Sequence, residues 1–420
     1  MPESDQQLHA AVFVKARQAG YQPRLRQLCL LLLTVVIFAS LPGCEQRGEV
    51  KPLWIVPLPF HFLESYTVAE GVILAFGADQ EFYDQTEKLA GTLIALDSKS
   101  GSKLWQHPIE PARRYFQQGE LEGGSFIVIA EGLAFYRDLN NVLHAVDIKS
   151  GSELWQAKDV IAILTRSAGQ VFVVSAQKKL AALDVKNGAV QSVSDLPWKN
   201  EIVACTRMLI ADGRQFLSVD GVLTVTDQAS GKQLWSTESK SECIEMMSAP
   251  GFLVLASLGT FTVFDGASGK NLWHFTTTYD AKLPRIEGDI VYTDLDEDGE
   301  YNPSGGFTRG FKIGTGEKVV ELKVTGPVAA GVLYDLERAD HYDYASKIFV
   351  GDYHWADSSD VRLVAKDLKT GARLWTAEPW CWGWIEHRTT VDNMVYTPCA
   401  AQMGAEPTRL LAYRAGRGGR

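Results

Sequence analysis

Leu93-Ile-Ala-Leu-Asp97-Ser-Lys-Ser-Gly101-Ser-Lys-Leu-Trp105 returns 50 residues later as Leu143-His-Ala-Val-Asp147-Ile-Lys-Ser-Gly151-Ser-Glu-Leu-Trp155. Working outward, the pattern recurs at Asp184/Gly188, at Asp227/Gly231/Trp235 and at Asp265/Gly269/Trp273. A drifted copy carries Lys312 and Gly316, a clear one Asp367/Gly371/Trp375, and a degenerate one ends at Arg414. The intervals are 50, 37, 43, 38, 47, 55 and 47 residues, a period that suits a four-stranded antiparallel blade.

Each part of the motif has a physical reason. The apolar run before the Asp predicts a strand buried on both faces, as stacked sheets require. The Asp side chain can accept N–H groups ahead of it and fix a tight turn. The Gly tolerates positive φ. The Trp that follows predicts a large wedge between neighbouring blades. Further hairpin turns are expected at Glu131-Gly132, Asp212-Gly213, Pro250-Gly251 and Asp392-Asn393. Eight turn motifs imply eight blades. The eighth copy ends after three strands, and Leu53-Trp54-Ile-Val repeats the Leu-Trp start near the other end. The N-terminal strand is therefore expected to complete the last blade and remove a sheet edge. The expectation is all-β, one eight-bladed propeller over residues 51–416, with 417–420 as a flexible tail.

The pattern resembles the pyrroloquinoline-quinone-like (quinoprotein-like) propeller repeat, Ala-x-Asp-x-x-[Ser/Thr]-Gly-x-x-x-Trp. That family includes quinone-dependent dehydrogenases and catalytically silent scaffolds. Among the scaffolds is the lipoprotein subunit of the machinery that assembles outer-membrane β-barrels. This chain is similar to that subunit in length, in its N-terminal signal and in the eight repeats. The resemblance implies a scaffold for envelope proteins. The vicinal Cys-Cys of the quinone enzymes is absent here, and eight blades consume nearly all of the length. A bound quinone and an enzymatic activity are not expected. The eight His residues form no His-x-His or His-x-x-x-His pair, and there is no nucleophile elbow or phosphate loop.

The N-terminus carries an address. Arg24 and Arg26 precede a short apolar run from Leu28 to Leu41, and Leu41-Pro42-Gly43-Cys44 resembles a bacterial lipobox. Residues 1–43 read as n-region and signal peptide, Cys44 as the lipidated residue, and 44–50 as the tether. Glu45 is not the Asp that resembles an inner-membrane retention signal, so the expected place is the outer membrane, facing the periplasm. The formal net charge is −10, and residues 1–43 are net basic, so the remainder is more acidic still. An acidic body repels phosphate backbones, which argues against nucleic-acid binding. No run is long enough for a polytopic membrane protein.

Four cysteines remain for an oxidising compartment, Cys205, Cys243, Cys381 and Cys399, and their even number suggests two disulfides, Cys205 with Cys243 and Cys381 with Cys399. Cys205 and Cys243 each lie 22 residues before the Asp of their repeat, which predicts equivalent inner-strand starts in adjacent blades. Cys381 and Cys399 are expected at matching ends of the hairpin that turns at Asp392-Asn393. One segment reads as a metal loop: Asp294, Asp296, Asp298, Glu300 and Asn302 alternate, with Gly299 at the bend. Alternating oxygens suit calcium, here a structural ion tying down a long loop, and the bland reading is a solvated acidic turn. Long connections between second and third strands are expected in blades 1, 6 and 8, with added length near the first hairpin of blade 7. Their aromatics, together with Trp380, Trp382 and Trp384, suit partner recognition, or a small ligand or glycan. The propeller is expected to be monomeric.

Overall fold

The computed structural model describes residues 48–79, 89–112, 127–138, 140–197, 206–239, 244–257, 260–276, 285–295, 307–324, 326–338, 348–350, 354–356, 360–378, 381–382, 388–399 and 407–418. Among them every regular element is a strand. Blade 1 is built from Phe62–Ala69, Val72–Ala78, Leu89–Asp97 and Lys103–Ala112. Blades 2 to 6 repeat that meander: Ile127–Ala157, Val160–Asp195, Arg207–Glu238, Glu245–Thr276 and Arg285–Leu322. Blade 7 joins Val328–Ala329, Val332–Arg338, Asp360–Asp367 and Arg373–Ala377. Blade 8 has Thr389–Val391, Met394–Cys399 and Arg409–Arg414, and its fourth strand is Trp54–Pro57. That N-terminal strand runs antiparallel to the C-terminal one, with Trp54 opposite Ala412 and Pro57 opposite Arg409.

From blade 1 to blade 7 the first strands of successive blades touch one another, so the sheets radiate from a common axis. Eight apolar clusters fill the eight joints, one for each adjacent pair of blades. The joint that shuts the ring packs Phe60, Ile73 and Leu96 against Tyr396, Leu410 and Ala412. The third strands Lys179–Asp184 and Arg409–Arg414 are buried through their middles, because a blade covers each face. The first hairpins of six blades turn through left-handed pairs such as Glu131-Gly132 and Asp212-Gly213, the geometry that matches strand twist.

In blades 1 to 7 the fourth strand is bulged beside the Leu-Trp step or its equivalent, for example between Glu153 and Trp155. The bulge aims the Trp inward and disrupts the exposed ladder, which discourages edge-to-edge pairing with another molecule. One strand was not foreseen. Glu49–Val50 pairs in parallel with Arg373–Ala377 and adds a fifth edge to blade 7.

Two expectations about the path of the chain are corrected. The added length of blade 7 lies after its second strand, between Arg338 and Asp360, and includes the hairpin of Ile348–Val350 with His354–Ala356. Tyr334 itself is buried in the second strand. Cys381 is not on the hairpin that carries Cys399. It sits on a two-residue strand paired with Asp360–Asp367 of blade 7, where the ladder of the fourth strand resumes beyond Ala377 before the chain enters blade 8.

Candidate binding surface

The motif residues build joints. Trp105, on the fourth strand of blade 1, lies over Gly151 of blade 2 and donates from Nε1 to the Ile148 carbonyl at 2.8 Å. Trp155 does the same to Gly188 and the Val185 carbonyl, and Trp273 to Gly316 and the Ile313 carbonyl. Trp235 covers Gly269 with a longer bond to Gly266, and Trp375 donates to the Gly416 carbonyl. At the seam, Trp54 of the closing strand covers Gly101, together with Val56. A Cβ at these covered glycines would stand 2.5–2.8 Å from side-chain carbons, so the positions need both the φ and the bareness of Gly.

Two joints lack the Trp wedge, at Gly231 and at Gly371, because the preceding copies, Asp184/Gly188 and Lys312/Gly316, carry no Trp. Ser192 occupies the Trp position of blade 3, opposite Ala182 as Trp155 is opposite Ala145. Consistently, nothing lies within 4 Å of a Cβ at Gly231. Val320 occupies that position in blade 6, opposite Gly310. No indole therefore lies over Gly371, and a Cβ there would meet only Leu322, at 3.3 Å. Aliphatic side chains, Val320 and Leu322 against Leu368, fill this joint instead. Gly371 keeps its turn role, with φ +69° and its N–H bonded to the Asp367 carbonyl.

The carboxylates fix the turns. Asp97 accepts the Ser100 N–H at 2.8 Å and its hydroxyl at 2.7 Å, and Asp147, Asp227, Asp265 and Asp367 do likewise. The hydroxyl three residues on holds Asp97, Asp227, Asp265 and Asp367 below the usual Asp range, and for Asp147 the Ser150 N–H is the larger cause. A second set of carboxylates latches blade to blade. Glu70 accepts the N–H groups of Glu131 and Gly132, Glu131 that of Gly169, and Asp212 that of Gly251. All of these groups hold turns or join neighbouring blades.

Cys381 and Cys399 are joined by a disulfide with Cα atoms 5.2 Å apart, which fastens blade 7 to blade 8. Cys44, Cys205, Cys243, Asp296, Asp298, Glu300 and Asn302 lie outside the described residues. Asp294 is placed by its backbone only, opposite Thr308. Phe82, Tyr83, Tyr301, Trp380 and Trp384 also lie outside, and Trp382 is placed by its backbone opposite Asp360. Among the described residues no cluster of three His, Cys, Asp or Glu is arranged to hold a metal. His107 is bound to the Gly151 carbonyl, and His144 stacks on Tyr136 between Asp138 and Glu153.

The connection between second and third strands varies in length around the ring. It is short in blades 2 to 5, only Asp220-Gly221 in blade 4. It is long in blades 6, 7, 8 and 1, spanning 296–306, 339–359, 400–408 and 79–88. Those four blades are consecutive, so the long connections of this kind gather on one half of the ring, while long links between blades also occur at 113–126 and 196–206. The sequence signalled blades 1, 6 and 8, and the corrected position in blade 7 completes the arc.

A family model described as outer membrane protein assembly factor BamB matches residues 89–197 and 219–379, more than half of the chain. The chain belongs to the BamB family. The matched stretches begin in the third strand of blade 1 and run beyond the fourth strand of blade 7. No curated protein matches. Among solved structures, the computationally designed Ika8 protein is 14% identical, with 86% of this chain and 99% of that one covered and a TM-score of 0.55. The quinohemoprotein alcohol dehydrogenase ADHIIG of Pseudomonas putida HK5 is 11% identical over 89% of this chain and 76% of its own, TM-score 0.51. BamB from Moraxella catarrhalis is 13% identical over 86% and 99%, TM-score 0.46. At such identities the likeness to a designed protein and to a dehydrogenase is one of fold.

Proposed function

We propose that this BamB-family chain is a non-catalytic envelope lipoprotein. Anchored through Cys44 in the outer membrane and facing the periplasm, it acts as a monomeric protein-binding scaffold in outer-membrane protein assembly. The family match across the blades carries the reading. The arrangement of side chains supports it: Trp, Asp and Gly of the repeat are spent on joints and turns, which leaves recognition to the connections. The half-ring of long connections in blades 6, 7, 8 and 1 is the surface we assign to partners. A calcium ion at the Asp294–Asn302 segment would be a structural accessory.

The test is crosslinking in the native envelope, capture of the lipidated protein and mass spectrometry of what is joined to it. Recovery of a barrel-assembly machinery, reduced when the 339–359 connection is shortened, is the expected result. Recovery of an unrelated complex would overturn the assembly role. Binding of a glycan or small ligand, with no protein joined, would move the chain to the ligand-binding class. Quinone-dependent oxidation of an alcohol would make it an enzyme.

A further inference from the structure

The parallel strand at Glu49–Val50 fixes where the chain leaves the propeller. Val50 is only 7% exposed, packed among Trp375, Ala377, Cys381 and Tyr413, and its carbonyl accepts the Glu378 N–H at 2.9 Å. The Leu53 N–H then donates to the Ala412 carbonyl, and Trp54–Pro57 completes blade 8. The chain is thus held to the rim of blades 7 and 8 from residue 49 onward. Five peptide steps separate Glu49 from Cys44, and a fully extended chain covers them in at most about 17 Å.

The same rim has a surface that suits lipid. Leu53 and Ile55 are 48% and 42% exposed. Lys51 is exposed two residues before Leu53, Glu49 at the same rim is paired with Arg362, and Arg417 remains exposed while it pairs with Asp367. In a chain of net charge −10, residues 407–420 hold four arginines and no acid. An exposed apolar pair with Lys51 before it, and a C-terminal segment rich in arginine, can meet an anionic headgroup layer.

We propose that the rim of blades 7 and 8, centred on Leu53 and Ile55, rests on the lipid surface of the membrane that holds Cys44. The proposal rests on the lipoprotein reading above. It places the half-ring of long connections on the membrane-proximal side. Blade 3 stands opposite blade 7 in a ring of eight, and its fourth strand carries Val193, 54% exposed, as a matched site with no tether beside it.

The experiment uses the full chain, processed and lipidated, in vesicles of phosphatidylethanolamine and phosphatidylglycerol doped with a nitroxide-labelled lipid. A fluorescent amino acid is placed at residue 55 or at residue 193. Quenching several-fold stronger at 55 is expected, and it should fall to the level of 193 when twenty Gly/Ser residues are inserted after Gly48. Equal quenching at the two sites, with mass spectrometry showing a diacylglyceryl group on Cys44, would overturn the rim contact and leave the lipoprotein reading standing. An unmodified Cys44 on a water-soluble product would overturn both.

Discussion

Gly151 and Gly231 hold the same place in the repeat at φ +72° and +66°, yet their surroundings differ. Trp105 and His107 crowd the first, whereas Ser192 in place of an indole leaves the second open. Replacing either by Ala adds the left-handed cost of about 1 kcal/mol. Only G151A also drives a Cβ to 2.7 Å from Trp105, and overpacking of that kind costs about 1–3 kcal/mol more. Urea unfolding should therefore show G151A losing about 2–4 kcal/mol and G231A about 1. Equal losses would mean that the indole yields freely and that the Trp–Gly contact is not a lock. The spacing of Asp, Gly and Trp made this scale legible in advance, because one turn geometry repeats. Gly371 marks the limit of that legibility. Its own repeat ends in Trp375, but what covers a glycine comes from the blade before, where Val320 stands. The Glu70 latch was not legible either: its partners are 61 and 62 residues away and meet it only once the blades are side by side.

Strands and hairpins were read from alternating apolar runs and turn pairs, and their order along the chain follows the repeat. The reading failed where the chain departs from the meander. Cys381 shows why. A two-residue strand has no period to detect, and only its pairing with Val361 reveals that it belongs to blade 7. The disulfide consequently bridges two blades across an 18-residue separation. Closing a loop of that size restricts the unfolded chain by about 3 kcal/mol. Both cysteines are buried, so a C381A/C399A variant removes the link while introducing no polar group. Its urea midpoint should shift by the equivalent of about 3 kcal/mol relative to the oxidised parent. A midpoint unchanged from the oxidised parent would show that the joint of Val361, Trp375 and Tyr413 holds the two blades without it.

At the scale of the whole molecule, eight joints make a closed ring in which each blade is supported on both faces. The N-terminal strand is the one place where closure depends on distant sequence. Trp54–Pro57 supplies the outer strand of blade 8, and the Leu58 N–H continues the ladder to the Thr408 carbonyl. Tyr396 spans the seam through its hydroxyl to the Ser98 carbonyl. Deleting residues 49–57 from the otherwise full chain would bare the ladder of Arg409–Arg414, a strand whose middle is fully buried, as an open edge. Unbulged edges of this kind pair with one another. The deletion is expected to lower the melting temperature and to associate with rising concentration in sedimentation velocity. A synthetic peptide of residues 49–57 should return it to a monomer by refilling the edge. A deletion variant that stays monomeric and melts like the parent would show that three strands suffice for blade 8. The closing strand would then serve to hold the rim beside the tether, with no part in holding the ring together.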